Sequence, residues 1–139
     1  MKKLNYSLNK DEMAVILTEQ NSFYYSGFRS TDGVLLCFFD EQILLVDGRY
    51  FEAAKNSLTN VKVVLLKNLK QQIEDIIKSK NIKKVFCENN ITLQKYDSIK
   101  TYIGEAEIIN DKLSVLIDKQ REIKTDFEID CIKKAQRIA

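Results

Sequence analysis

Residues 21–50 read NSFYYSGFRSTDGVLLCFFDEQILLVDGRY. Two unbroken apolar runs lie inside this stretch, VLLCFF at 34–39 and ILLV at 43–46, with the polar Asp40, Glu41 and Gln42 between them. Apolar runs of this length joined by a short polar connection predict a β-hairpin. Neither run alternates apolar with polar residues. Both strands are therefore expected to be buried on both faces, as in the centre of a sheet covered by helices. Glycine corners frame the hairpin. Gly27 ends a helical turn predicted over 22–25, because glycine tolerates positive φ. Asp47-Gly48 ends the second strand, with Asp47 placed to cap a helix over about 49–57.

Outward from the hairpin, strands and helices alternate. MAVIL at 13–17 predicts a strand, preceded by a polar segment in which Leu4 and Leu8 are spaced for one helical turn. A strand over 62–66 follows the hairpin. Asn68 is placed to cap a helix over 69–80, whose Leu69, Ile73, Ile76 and Ile77 form one apolar stripe. Asn81 suits a left-handed end to that helix. Next come a strand over 84–87, a helix opened by Thr92 and closed by Gly104, a strand over 107–109 and a helix over about 111–119. Thr125 and Glu128 have the spacing of a capping box. The helix they open is expected to run to Ala139 without a stop signal, so the chain is expected to be cut inside a helix of a longer protein. Alternating elements with one hairpin predict an α/β fold, a three-layer α/β/α sandwich on a mixed sheet.

Composition narrows function. A length of 139 residues suits one domain with a single core. The 22 basic and 20 acidic residues are interspersed, giving net charge +2 and no concentrated basic face for nucleic acid. No apolar run approaches the ~20 residues of a membrane span, and MKKLNYSLNKDEM lacks the apolar core of a secretory signal. Cys37, Cys87 and Cys131 stand far apart, as expected for reduced thiols of a cytoplasmic protein. The chain has no histidine. That removes His-containing metal sites, Ser-His and Cys-His nucleophilic pairs and any imidazole base.

The remaining reactive types are expected to be structural. Cys37 lies mid-strand, where burial raises a thiol pKa and leaves it inert. Asp32, Asp40, Glu41 and Asp47 bracket the hairpin and read as turn and cap residues. Asp40 and Asp47 stand at opposite ends of one strand and cannot converge, whereas Asp32 and Asp47 approach only if the hairpin pairs in register. Glu128 and Asp130, two apart on a helix, face different ways. The glycines of SGF, TDG and DGR do not make a phosphate-binding loop. No catalytic residue and no metal ligand is assigned to this chain.

NSFYYSGF, the small-residue turn into DGVLLC, and ILLVDGRYFEAA together resemble the signature of the creatinase/prolidase N-terminal domain. REIKTDFEIDCIKKAQRIA resembles the linker helix of that family, so the resemblance covers essentially the whole chain. It implies the same sandwich fold, with a ribonuclease H-like motif. It also implies an N-terminal domain at 1–120 and the start of a linker at 121–139, leading to a catalytic domain outside this chain. The parent would be an Xaa-Pro aminopeptidase or Xaa-Pro dipeptidase, hydrolysing the bond before proline. Its dinuclear metal centre, commonly Mn²⁺, would be held by two Asp, one His and two Glu of the second domain. None of those ligands has a counterpart here. Residues 1–139 alone are therefore expected to be inactive and without a cofactor of their own.

The implied partners are the chain's own C-terminal catalytic domain, a second copy in a homodimer and proline-containing peptides, with no nucleic acid and no membrane. In such proteins the N-terminal domain of one subunit can lean over the active-site mouth of its partner. Asn21, Tyr25, Phe28 and Arg29 are accordingly the candidates for substrate access or partner contact. Arg29 suits a substrate carboxylate or a partner acid, or is an ordinary surface arginine. Asn21 is also placed to cap the turn at 22–25. Phe23, Tyr24, Tyr25 and Phe28 can pack in the core or present a ring to proline. Gly27 and the DGRY residues Asp47, Gly48, Arg49 and Tyr50 are expected to be structural: corner, cap, and an arginine tying the helix to a neighbouring loop. Two other readings stay open: a protein-interaction module from a catalytically degenerate relative, and a creatinase-like C–N hydrolase.

Overall fold

The two apolar runs pair as a hairpin at the heart of one sheet. The computed structural model describes residues 8–122. In chain order the elements are β1 (Glu12–Ile16), α1 (Glu19–Ser26), β2 (Val34–Phe38), β3 (Gln42–Val46), α2 (Gly48–Ser57), β4 (Lys62–Leu65), α3 (Leu69–Lys80), β5 (Lys84–Cys87), α4 (Leu93–Tyr102), β6 (Glu107–Ile109) and α5 (Leu113–Glu122). The strand order is β4-β3-β2-β1-β5-β6. β2 is antiparallel to both β1 and β3, in the registers Met13↔Phe38 and Val34↔Leu45. β1 runs parallel to β5, β5 to β6, and β3 to β4.

All residues of β1, β2 and β3 are buried, as unbroken apolar runs require. Successive side chains feed opposite layers. Ala14, Ile16, Leu35 and Leu44 pack with Tyr25 of α1, Ala54 of α2 and Ile117 of α5. Met13, Val15, Leu36 and Leu45 pack with Ile73 of α3 and Ile99 of α4. This is the expected three-layer sandwich. The edge strands β4 and β6 are shorter and only half-buried, and begin with the exposed Lys62 and Glu107, which discourage pairing with another sheet.

The predicted caps form. Asp47 accepts from the Arg49 N–H at 2.9 Å, Asn68 from Gln71 at 3.1 Å and Thr92 from Lys95 at 3.2 Å. Asn81 is left-handed at φ 53°. Three differences have identifiable causes. Phe39, expected in the strand, lies in the hairpin turn, because the Phe38 N–H closes that turn on the Glu41 carbonyl at 2.8 Å. Its ring is 47% exposed, with Lys10 Nζ 5.9 Å from its centre. Helix α1 begins earlier than predicted, at Glu19, with Thr18 as its N-cap. Helix α5 runs to Glu122, beyond the predicted end at 119, because residues 120 and 121 are tied to α1. The capping box at Thr125 and Glu128, Asp130, Cys131, Leu4 and the expected helical run to Ala139 lie outside the described residues.

Cys37 and Cys87 are buried free thiols. Burial pushes the Cys37 thiol far above the ordinary range. Cys87 rises from 9.0 to about 11, first through burial and then through the neighbouring Glu88. A thiol whose pKa is raised by folding contributes stability below its unfolded pKa and loses it as pH climbs towards the folded value. Urea unfolding midpoints should therefore fall between about pH 9 and about pH 11, and Cys87→Ala should flatten part of that decline. Ile73 is fully buried beneath the sheet. Ile73→Ala should cost about 2–5 kcal/mol, measured by the same urea titration at neutral pH.

Candidate functional site

Because β1, β3, β4, β5 and β6 all point the same way, the loops that follow them lie at one edge of the sheet, together with the entry into antiparallel β2. That edge, where parallel strands end and their order reverses, is where open α/β sheets bind ligands. Here it gathers the end of β1 at Leu17 and Thr18, the loop 27–33, the DGRY corner and Glu88.

Glu88 follows β5 directly and its side chain is completely buried. One oxygen accepts from the Leu17 N–H at 2.7 Å and the Thr18 N–H at 3.0 Å. The other accepts from the Thr18 hydroxyl and from the Asn21 amide, the latter at 2.6 Å. A buried carboxyl with four donors satisfies its own lone pairs and two backbone groups left at the end of β1. Asn21 does not cap a turn. It sits in the first turn of α1, and its other end accepts from Arg121 at 3.1 Å. Arg121 also lies 5.2 Å from the Tyr24 ring centre. Tyr25, expected on the contact loop, is 1% exposed, and its hydroxyl donates to Gln120 at 2.6 Å. Burial raises its pKa far above the usual tyrosine value. Its direction into the core follows from helical periodicity, which turns Tyr25 towards the sheet and Phe23 towards solvent.

The loop after α1 is built tightly. Gly27 is left-handed at φ 79° and its N–H returns to the Phe23 carbonyl. The buried Ser26 hydroxyl accepts from the Phe28 N–H at 3.1 Å and donates to its carbonyl at 3.2 Å. Gly33 is required by close approach: a Cβ there would stand 2.7 Å from Ser30 Oγ and 3.3 Å from the Leu45 carbonyl oxygen. The DGRY corner reaches this loop through Tyr50. Its ring meets Phe28 edge-on at 6.3 Å, and its hydroxyl lies 3.0 Å from Thr31 Oγ1. The hydrogen bonds of Arg49 go to its own cap residue, and its link to the neighbouring loop is the charge attraction of Asp32. Arg49 folds back on Asp47, with Nη2 to Oδ2 at 2.8 Å, and this hydrogen-bonded partner holds the Asp47 carboxyl below its ordinary value. The short two-residue separation makes that return the nearest available acceptor. Arg29 stacks on Phe23, 4.5 Å from the ring centre, and Phe23 is 40% exposed.

Beside the loop opens a cleft of about 790 Å³, bordered by Thr18, Thr31, Asp32, Thr92, Lys95 and Ser98. Asp32 adopts the left-handed conformation at φ 58°. The cleft carries hydroxyls, the Lys95 ammonium and the carboxylates of Glu19 and Asp32, groups that bind and orient. Among the described residues no cluster of three His, Cys, Asp or Glu side chains could hold a metal. The described residues therefore do not fit a dinuclear centre.

Of the four loop candidates, the fold turns Asn21 and Tyr25 inward to α5, packs the half-buried Phe28 against the core and Tyr50, and leaves Arg29 exposed. Sequence reasoning missed Glu88, Gln120 and Arg121. The available signal was an acid directly after the apolar strand VFC, but its partners lie 67–71 residues away.

The model of the creatinase/prolidase N-terminal domain matches residues 7–123. A Mycoplasma pneumoniae protein named "Putative Xaa-Pro aminopeptidase" is 30% identical over 131 residues, 94% of this chain and 35% of that protein. An Xaa-Pro dipeptidase from Bacillus anthracis superimposes with a TM-score of 0.77 at 29% identity, over 88% of this chain and 34% of the other. A proline dipeptidase structure from Streptococcus pneumoniae superimposes at 0.72 with 28% identity, over 87% of this chain and 93% of the other, so that solved chain is close to this unit by itself. The chain spans 34–35% of the length of the curated relatives it matches. With its sheet order, its DGRY corner and a model match over 7–123, the chain belongs to the creatinase/prolidase N-terminal domain family.

Proposed function

We propose that this chain is the non-catalytic N-terminal domain of a metal-dependent Xaa-Pro peptidase, an aminopeptidase or dipeptidase that hydrolyses the bond preceding proline. The observation that carries the reading is the family match over 7–123 together with relatives named for Xaa-Pro cleavage. The chain has no histidine and its described residues supply no metal cluster, so the chemistry is assigned to a C-terminal domain. The metal there, Mn²⁺ or a similar divalent ion, would activate the attacking water.

The work assigned to this domain is substrate access and oligomerisation, in a cytoplasmic homodimer. Its buried, unpaired thiols suit a reducing compartment. The outer loop supports the access role. Arg29 stands exposed beside Phe23, a cation and an aromatic ring on one surface. Together they match the carboxylate and the apolar ring of a proline-containing peptide.

In the full-length protein, chelation should abolish cleavage of an Xaa-Pro dipeptide and Mn²⁺ should restore it, whereas residues 1–139 should show no cleavage with Mn²⁺. Cleavage by 1–139 at rates comparable to the full-length protein would falsify the reading. A full-length protein without activity in any metal would favour the interaction module. Arg29→Ala in the full-length enzyme should raise KM roughly tenfold with kcat little changed, because a group that binds substrate and transition state alike changes only KM. Steady-state kinetics on a proline dipeptide check this.

A further inference from the structure

The amide of Asn21 has one donating end and one accepting end, and both are used across the fold. Nδ2 donates to Glu88 Oε2 at 2.6 Å, and Oδ1 accepts from Arg121 Nη1 at 3.1 Å. A flipped amide would set oxygen against the Glu88 carboxyl and N–H₂ against the guanidinium. Only the observed orientation satisfies both neighbours. Glu88 itself is held in place by the Leu17 and Thr18 N–H groups and the Thr18 hydroxyl. The buried carboxyl thus determines which end of Asn21 faces outward, and that end meets the last turn of α5. Gln120 supports the same junction by accepting from the Tyr25 hydroxyl at 2.6 Å and, through its carbonyl, from Tyr24 at 3.4 Å.

We infer that Glu88 is a positioning residue that acts through Asn21 on Arg121, clamping the end of α5 to the end of β1 and to α1. The clamp fixes the last described turn of α5 against α1. Its use in orienting a following catalytic domain rests on the peptidase reading; the clamp itself does not.

Glu88→Gln separates the two jobs of the carboxyl. The remaining amide oxygen can still accept from Leu17 and Thr18, and the Thr18 hydroxyl can turn to accept. The new N–H₂, however, requires Asn21 to turn its oxygen inward, which brings Nδ2 against the Arg121 guanidinium, donor against donor. Arg121→Glu in the wild-type background sets an acceptor against Oδ1 and breaks the same link from the other side. Combined, the two substitutions restore it, because the turned Nδ2 then meets an acceptor. The stacking of Arg121 on Tyr24 is lost in both variants that carry Arg121→Glu and cancels in the double-mutant cycle.

The experiment is amide hydrogen exchange on the 139-residue chain, resolved by element. Each single substitution should speed exchange in residues 118–122 by about tenfold while α2 and α3 stay unchanged. The double variant should fall short of the product of the two single effects by about fivefold or more. Strict multiplicativity, no change at 118–122, or equal acceleration in every element would overturn the proposal. Should Glu88→Gln fail to fold, Asn21→Ala at its half-buried position must loosen residues 118–122 alone; unchanged exchange there would equally overturn it. Peptidase activity of the full-length protein is read separately, so loss of the clamp and loss of the peptidase reading give different results.

Discussion

The end of the central strand is a problem of unpaired backbone. β1 is buried on both faces and paired on both edges, so the N–H groups just past its end, at Leu17 and Thr18, emerge partly shielded from water. An orphaned buried N–H costs about 1–3 kcal/mol, and two lie in succession at Leu17 and Thr18. The Glu88 carboxyl answers both from the end of the neighbouring parallel strand. Because β1 and β5 are parallel, their ends coincide in space, and a residue just past β5 can reach the backbone just past β1. Much of the edge follows from this contact. Thr18 is held as the N-cap of α1, Asn21 is oriented by the second Glu88 oxygen, and α5 is drawn onto α1.

The other half of that edge is organised by packing around one aromatic ring. Tyr50 stands in the first turn of α2, where the Asp47 cap starts the helix. From there it touches Phe28 with its ring and Thr31 with its hydroxyl. The loop 27–33 is thus held at both ends, by the Ser26 and Gly27 corner on one side and by Tyr50 on the other. The outer surface of this restrained loop carries Arg29, stacked on the exposed Phe23 of α1. A binding surface gains affinity when its side chains are already ordered, since less conformational entropy is lost on contact.

How much of this was legible depends on the range of the interaction. The hairpin, the strand centres and the helix caps were readable because each depends on residues within about four positions of one another. Phe39 was misplaced by one position, since a tight turn claims a residue that apolar continuity alone assigns to the strand. The start of α1 was missed because its N-cap, Thr18, is held by Glu88 and not by a side-chain cap of its own. Arg49 was expected to reach outward, yet its nearest acceptor was its own cap residue. The one local sign of Glu88 was an acid directly after an apolar strand, and it did not name its partners. Its four donors lie 67–71 residues away, and no periodicity reports a contact of that separation.

The sequence by itself determined the element order, the two-sided burial of the hairpin strands, the caps and corners, and the lack of imidazole chemistry. Those properties follow from composition, short-range periodicity and the conformational limits of single residues. Only the tertiary structure decided which loop residues face outward and which are consumed in holding α1 to α5. That division separates the exposed Arg29 from Asn21 and Tyr25, with Phe28 half-buried against Tyr50, four residues within nine positions of one another. It follows from where the sheet places the ends of β1 and β5, and that placement comes from pairing between strands about seventy residues apart.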